Sequence, residues 1–237
     1  MKKNIELLEP GCVYHIYNRG INGENLFKEE RNYRYFLEKY AQYIEPIADT
    51  FAYCLLKNHF HIAIRTKSEA EIVDFYVKKK TKILEGANSN VDTAINAGRV
   101  LNPTSVESPI EIKIPSTPLI IGKQFSDFFN SYAQAMNKAH ARTGKLFEDP
   151  FRRILVDSDT YFTELIYYIH HNPQKHGFVK DFRAYPHSSY HSHLSNAMTR
   201  LRRGEVWNWF GNRNEFERFH IGNPDLGNLD KFIIEFD

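Results

Sequence analysis

The run Val13-Tyr14-His15-Ile16-Tyr17 is β-branched and aromatic, and Asn18-Arg19-Gly20 follows it with turn residues, so the pattern opens on a predicted strand. From Glu29 to Ile47, Tyr33, Phe36, Leu37, Tyr40 and Ile44 recur at helical spacing. Phe51 to Leu56 and His59 to Ile64 read as two strands joined by a tight turn at Lys57-Asn58, an antiparallel hairpin. Ile72, Phe75, Tyr76, Lys79 and Ile83 mark a second helix. Gly86 to Gly122 is rich in Asn, Ser, Thr, Pro and Gly and reads as an insertion, because structureless connections of that length are unusual within a compact domain. Phe125, Phe128, Phe129, Tyr132, Ala135 and Met136 resume a helical stripe, and Phe151 to Val156 reads as a strand. Asp157-Ser158-Asp159 offers N-cap candidates for a last helix, expected to end near His171 because Pro173 follows.

Strand, helix, two strands, helix, interruption, helix, strand, helix is a βαββαβ plan: an α+β, ferredoxin-like antiparallel sheet with helices mainly on one face. The domain is expected to span residues 1–193, with the insertion at about 86–122, and a tail at 194–237 is expected to pack on it or to contact DNA. Such a plan hosts many functions, so the chemistry must be sought in particular side chains.

Composition narrows the classes. Apolar residues are 42% and charged residues 25%, ordinary globular usage that excludes a disordered or collagen-like chain. Lys and Arg total 31 against 29 Asp and Glu, a net charge of +2, so any nucleic-acid surface must be a local patch. Two cysteines, Cys12 and Cys54, make neither a disulfide framework nor a four-thiolate zinc site. No apolar run approaches the roughly 18 residues of a membrane span, and the N-terminus lacks a signal-peptide core. The expectation is a soluble protein of a reducing compartment, with no membrane partner.

Two features carry candidate chemistry. In His59-Phe60-His61, strand alternation projects both imidazoles onto one face and Phe60 onto the other, which suits a divalent metal. Among 11 histidines the same spacing also arises by chance. In the last helix, Tyr168 and Asn172 lie only about 40° apart on the wheel, whereas Tyr167 falls about 140° from Asn172. Tyr168 and the amide therefore share a face, a placement that taken alone fits a boundary aromatic and a helix C-terminal residue better than a site.

Together these segments resemble the REP-associated tyrosine transposases, members of the single-tyrosine HUH transposases related to the insertion-sequence 200 type. Tyr14-His15-Ile16-Tyr17-Asn18-Arg19-Gly20 resembles the family's opening strand and turn, and Tyr53-Cys54-Leu55-Leu56-Lys57-Asn58-His59-Phe60-His61 its metal-binding hairpin. Gly144-Lys145-Leu146-Phe147 with Phe151-Arg152 resembles its Gly-x-Leu-Phe stretch and basic strand. Tyr168-Ile169-His170-His171-Asn172-Pro173 and Tyr185-Pro186-His187-Ser188-Ser189-Tyr190 resemble its nucleophile helix and downstream signature. The likeness runs from about residue 12 to 193, interrupted by 86–122. This sequence departs from the family in that insertion, in Asp149-Pro150, and in His187, where an aromatic such as Trp is expected.

The resemblance implies a metal-dependent endonuclease that cleaves and rejoins single-stranded or hairpin DNA of palindromic repeats, for DNA transposition. Tyr168 would be the nucleophile of a 5′-phosphotyrosine intermediate. His59, His61 and Asn172 would hold Mg²⁺ or Mn²⁺. Arg19, Arg152 and Arg153 are the candidate DNA contacts. Lys78-Lys79-Lys80-Thr81-Lys82 reads as a solvated helix face, and Trp207 and Trp209 either staple the tail to the core or stack on bases. The family supplies monomers and homodimers, and the implied location is the cytoplasm, at the nucleoid. A domesticated copy that binds hairpins without cutting is the alternative, and an unrelated zinc hydrolase using His59 and His61 is a third reading, weakened by the lack of an evident third strong ligand.

Overall fold

The computed structural model describes residues 6–95 and 112–222. Strands β1 (Val13–Arg19), β2 (Ala48–Leu56), β3 (His59–Thr66) and β4 (Arg152–Val156) form one antiparallel sheet in the order β2-β3-β1-β4, the order of a ferredoxin-like βαββαβ unit. Helix α1 (Glu30–Tyr43) follows β1, α2 (Glu69–Ile95) and α3 (Thr117–Ala139) follow β3, and α4 (Asp159–Lys175) follows β4. Three short helices close the described chain: α5 (Tyr190–Leu194), α6 (Arg203–Trp209) and α7 (Arg213–Ile221).

Strand alternation sorts the core into two. Tyr14 and Ile16 of β1 and Phe60, Ile62 and Ile64 of β3 meet Phe36 and Tyr40 of α1 and Phe125, Phe128 and Tyr132 of α3. This first core is aromatic, with Phe36 edge-on to Phe128 at 4.9 Å and to Tyr132 at 5.1 Å. Tyr132 donates its hydroxyl to Leu26 O at 2.8 Å, which satisfies the phenol in an apolar setting. The second core lies on the other face. There Phe162, Leu165, Ile166 and Ile169 of α4 pack on Cys54 and Leu56 of β2, and Val206 and Phe216 close it from outside. A register shift in β2 between Thr50 and Ala52 lets Phe51 and Ala52 enter this same core, which plain alternation would forbid. The long helices α1, α2 and α3 thus share one face, and α4 with the C-terminal helices takes the other.

Several boundaries differ from those read in the sequence. β1 runs through Asn18 and Arg19, because Arg19 pairs with His59. A Cβ on Gly20 would lie 1.9 Å from Glu24 O, so the chain turns there only with glycine. The segment read as an insertion is helical in backbone as far as Ile95 and again from Thr117, and its middle, residues 96–111, lies outside the described residues. α4 does not stop before Pro173 but carries it in its last turn, to Lys175. Pro173 withholds a donor from Ile169 O alone, and the turn beyond it still closes: Asn172 O accepts from His176 N and Pro173 O from Phe178 N. Of the tail, Trp209 packs 3.9 Å from the Phe162 ring and 5.3 Å from Phe51, so it staples α6 to α4.

Candidate active site

The site is built on the sheet face that α4 covers. Opposite the apolar residues of β1 and β3, that face carries His15, Tyr17, His59 and His61, all buried. The register sets Cys54, His61, Tyr17 and Arg152 side by side across the four strands, with Leu56, His59 and Arg19 in the next row. Over these rows runs α4. Ser158 caps it by accepting from Tyr161 N, and its apolar stripe points Tyr168 and Asn172 at the imidazoles.

Tyr168 stands edge-on to His61 at 5.4 Å between ring centroids and to His15 at 6.1 Å. Asn172 Oδ1 is 3.4 Å from His59 Nε2. Tyr167 turns away and stacks on His171 at 3.7 Å. Tyr168, Asn172, His59 and His61, which the sequence places more than a hundred residues apart, therefore meet within one chain.

Burial holds the site's histidines neutral. It pulls the His59 imidazole down to about 4, with His176 adding to the effect, and His61 lies well below its ordinary value through burial and the imidazoles around it. A neutral imidazole has one N–H. His59 Nδ1 lies 2.8 Å from Asn58 Oδ1, which can only accept, so the proton sits on Nδ1 and Nε2 keeps a lone pair. That lone pair faces the Asn172 oxygen, also an acceptor. His61 Nδ1 is 2.9 Å from His15 Nε2, while the buried His61 Nε2 has no hydrogen-bond partner among the described residues. His59 Nε2, the partnerless His61 Nε2 and the Asn172 amide oxygen are donors of the kind a divalent cation takes, and this set fits the group the sequence resemblance implies. Among the described residues no three His, Cys, Asp or Glu side chains cluster as a metal site, and the candidate set has only two histidines beside an amide.

The three candidate arginines separate. Arg19 is bonded to Glu148 at 2.5 Å. Arg152 hydrogen-bonds the Tyr17 phenol, whose pKa burial raises against the pull of that guanidinium, and lies 3.8 Å from Glu148. Arg153, one residue on, points to the opposite face of the sheet. Its guanidinium lies 3.8 Å from the Phe151 ring centroid and lines a groove of about 510 Å³ with Asn130 of α3 and Lys145. Sequence reasoning passed over His15, Tyr17, Lys175 and His176. Lys175 Nζ lies 5.5 Å from the Tyr168 ring centroid, and the His176 ring stands 5.0 Å from His59. The alternation of His15, Tyr17 and Arg19 was the available signal, but only the pairing of β1 with β3 joins that face to the histidine pair.

A solved structure shares this architecture over most of both chains. It is a REP-associated tyrosine transposase bound to a REP hairpin, and it matches with a TM-score of 0.52 at 12% identity over 83% of this chain and 87% of that one. The fold here is that of a REP-associated tyrosine transposase. At this identity the likeness is one of fold. No protein-family model matches the sequence, and no curated protein matches it either. His187, which precedes Ser188-Ser189, lies parallel to the Tyr33 ring at 3.5 Å between centroids. Among the described residues, no helix is long and apolar enough to cross a membrane.

Proposed function

We propose that this chain is a metal-dependent endonuclease of the transposase type, which cleaves and rejoins single-stranded or hairpin DNA through a 5′-phosphotyrosine intermediate. The observation that carries the reading is the convergence of Tyr168 on His59, His61 and Asn172 across the sheet of a single chain. A binding protein has no need of a phenol held against paired neutral imidazoles, which is why cleavage is favoured over hairpin binding alone. The solved relative bound to a REP hairpin supports hairpin DNA as the partner.

Tyr168 attacks the scissile phosphorus, forms a phosphotyrosine ester and releases a 3′-hydroxyl. Attack by a 3′-hydroxyl on that ester later restores the phosphodiester and frees the phenol, with no nucleotide cofactor consumed. A bound Mg²⁺ or Mn²⁺ would supply charge to the phosphate oxygens and orient the attack. His59 and His61 are suited to hold it because burial keeps both imidazoles neutral. Arg152 and Lys175, beside Tyr17 and Tyr168, are cations on the reacting face and, with Arg19, would contact the nucleic-acid backbone.

The test is incubation with Mn²⁺ and an end-labelled hairpin carrying a single-stranded flank, followed by denaturing electrophoresis. Wild-type protein yields a covalent adduct, Tyr168→Phe yields none while keeping hairpin affinity, and His59→Ala loses the metal-dependent signal. Adduct persisting in Tyr168→Phe would refute the nucleophile. Hairpin binding without any adduct in the wild type would leave the non-cleaving reading.

A further inference from the structure

Behind the nucleophile, on the far side of α4, runs a chain of hydrogen bonds whose proton order is set from its backbone end, where the Phe216 carbonyl is a stronger partner of His220 than the Ile166 carbonyl. His220 Nδ1 lies 2.8 Å from Phe216 O, a carbonyl that can only accept, so His220 carries its proton on Nδ1. Its Nε2 is then an acceptor, and the contact of 2.9 Å with His170 Nδ1 requires His170 to donate. His170 Nε2 in turn accepts, and 2.9 Å away the Ser189 hydroxyl donates to it. Ser189 Oγ accepts from Tyr53 N of β2 at 2.9 Å, and its own N–H donates to Tyr53 O at 2.9 Å. Both ends of the chain are therefore anchored on backbone. It links β2, the segment before α5, α4 and α7, and its three side chains are almost wholly buried.

This chain joins two sequence signatures that the catalytic reading leaves unexplained: His170 lies between Tyr168 and Asn172, and Ser189 belongs to His187-Ser188-Ser189-Tyr190. On the helix wheel His170 points about 160° from both Tyr168 and Asn172, so it holds α4 from the side away from the site. The apolar stripe of α4 resists separation from the sheet, but dispersion contacts are not directional. Hydrogen bonds of defined length resist rotation of the helix about its axis. A roll of about 10° moves a group at a radius of about 6 Å by roughly 1 Å, and a misplacement of that size costs up to about 100-fold in rate.

We propose that Ser189, His170 and His220 form a proton-ordered strut that sets the roll of α4, and that Ser189 and His170 are positioning residues for Tyr168 and Asn172. Only the kinetic consequence rests on the cleavage reading; the strut itself does not.

The test pairs Ser189→Ala with Ser189→Thr, which keeps the hydroxyl, in protein with ¹⁵N-labelled histidine. In the wild type, ¹⁵N shifts place the protons of His170 and His220 on Nδ1, and the ring protons of Tyr168 and His61 show a cross-relaxation contact. Ser189→Ala weakens that contact and slows adduct formation with a labelled hairpin and Mn²⁺ by about 10- to 100-fold, with hairpin affinity unchanged, and Ser189→Thr recovers most of the rate. His170 found protonated on Nε2, an unchanged ring contact in Ser189→Ala, or equal slowing in the Ala and Thr variants would overturn the proposal. Should the wild type form no adduct, the cleavage reading falls, and the tautomers and the ring contact still decide the strut. If Ser189→Ala does not fold, the wild-type tautomers and His220→Phe, which cuts the strut at its outer end, give the same two readings.

Discussion

The same two strands present opposite characters on their two faces. Toward α1 and α3, β1 and β3 offer Tyr14, Ile16, Phe60, Ile62 and Ile64, all apolar or capped by a hydrogen bond. Toward α4 they offer His15, Tyr17, His59 and His61, equally buried but polar. The first face obtains its stability from area removed from water, roughly 1.5–3 kcal/mol for each large side chain. The second must satisfy or leave open each nitrogen, and an unsatisfied buried polar atom costs about 1–3 kcal/mol. Among the described residues His61 Nε2 is such an atom. The difference teaches that within β1 and β3 apolar packing and the candidate catalytic side chains are divided between the two faces, one residue apart.

That division can be broken most severely from the apolar side. Phe60→Ala is expected to lose about 3–5 kcal/mol in urea unfolding, whereas His61→Ala, its neighbour on the other face, loses less stability and more activity. Comparable losses would mean that the two faces share their roles. At the edge of the site, Gly20→Ala is expected to cost about 1–3 kcal/mol by crowding, since the added Cβ meets Glu24 O.

Acid sharpens the contrast. Burial lowers His15 and His220 to about 3, and His59, His171 and His193 to about 4, and all of them lie on the α4 side. The unfolded chain takes up these protons near the ordinary value of about 6.5, so at lower pH it binds more protons than the folded chain and stability falls. Melting temperature should therefore decline as pH drops from about 6.5 toward 4, and a flat profile would show that these imidazoles are solvated. The smallest expected effect separates the adjacent arginines. Arg152→Gln should slow adduct formation by about tenfold, the scale of one charge-assisted hydrogen bond, and Arg153→Gln, on the other face, should leave the rate nearly unchanged in the same gel assay.

Much of this molecule is legible along the chain because strand alternation and helical spacing are local. His59 and His61 on one face, Phe60 on the other, and Tyr168 rather than Tyr167 beside Asn172 all follow from dihedral geometry over a few residues. The order of strands and helices follows from the same periodicities. The register that sets Arg19 beside His59, the bulge that turns Phe51 and Ala52 into one core, and the survival of α4 past Pro173 depend on contacts between distant segments. So does the bond between His61 and His15, 46 residues apart, and that between His170 and Ser189. No local pattern encodes such pairings, because a buried nitrogen takes whatever partner the packed elements bring within about 3 Å. The residue types and their faces were decided by the sequence alone; which of them meet was decided by the packing of α4 across the sheet.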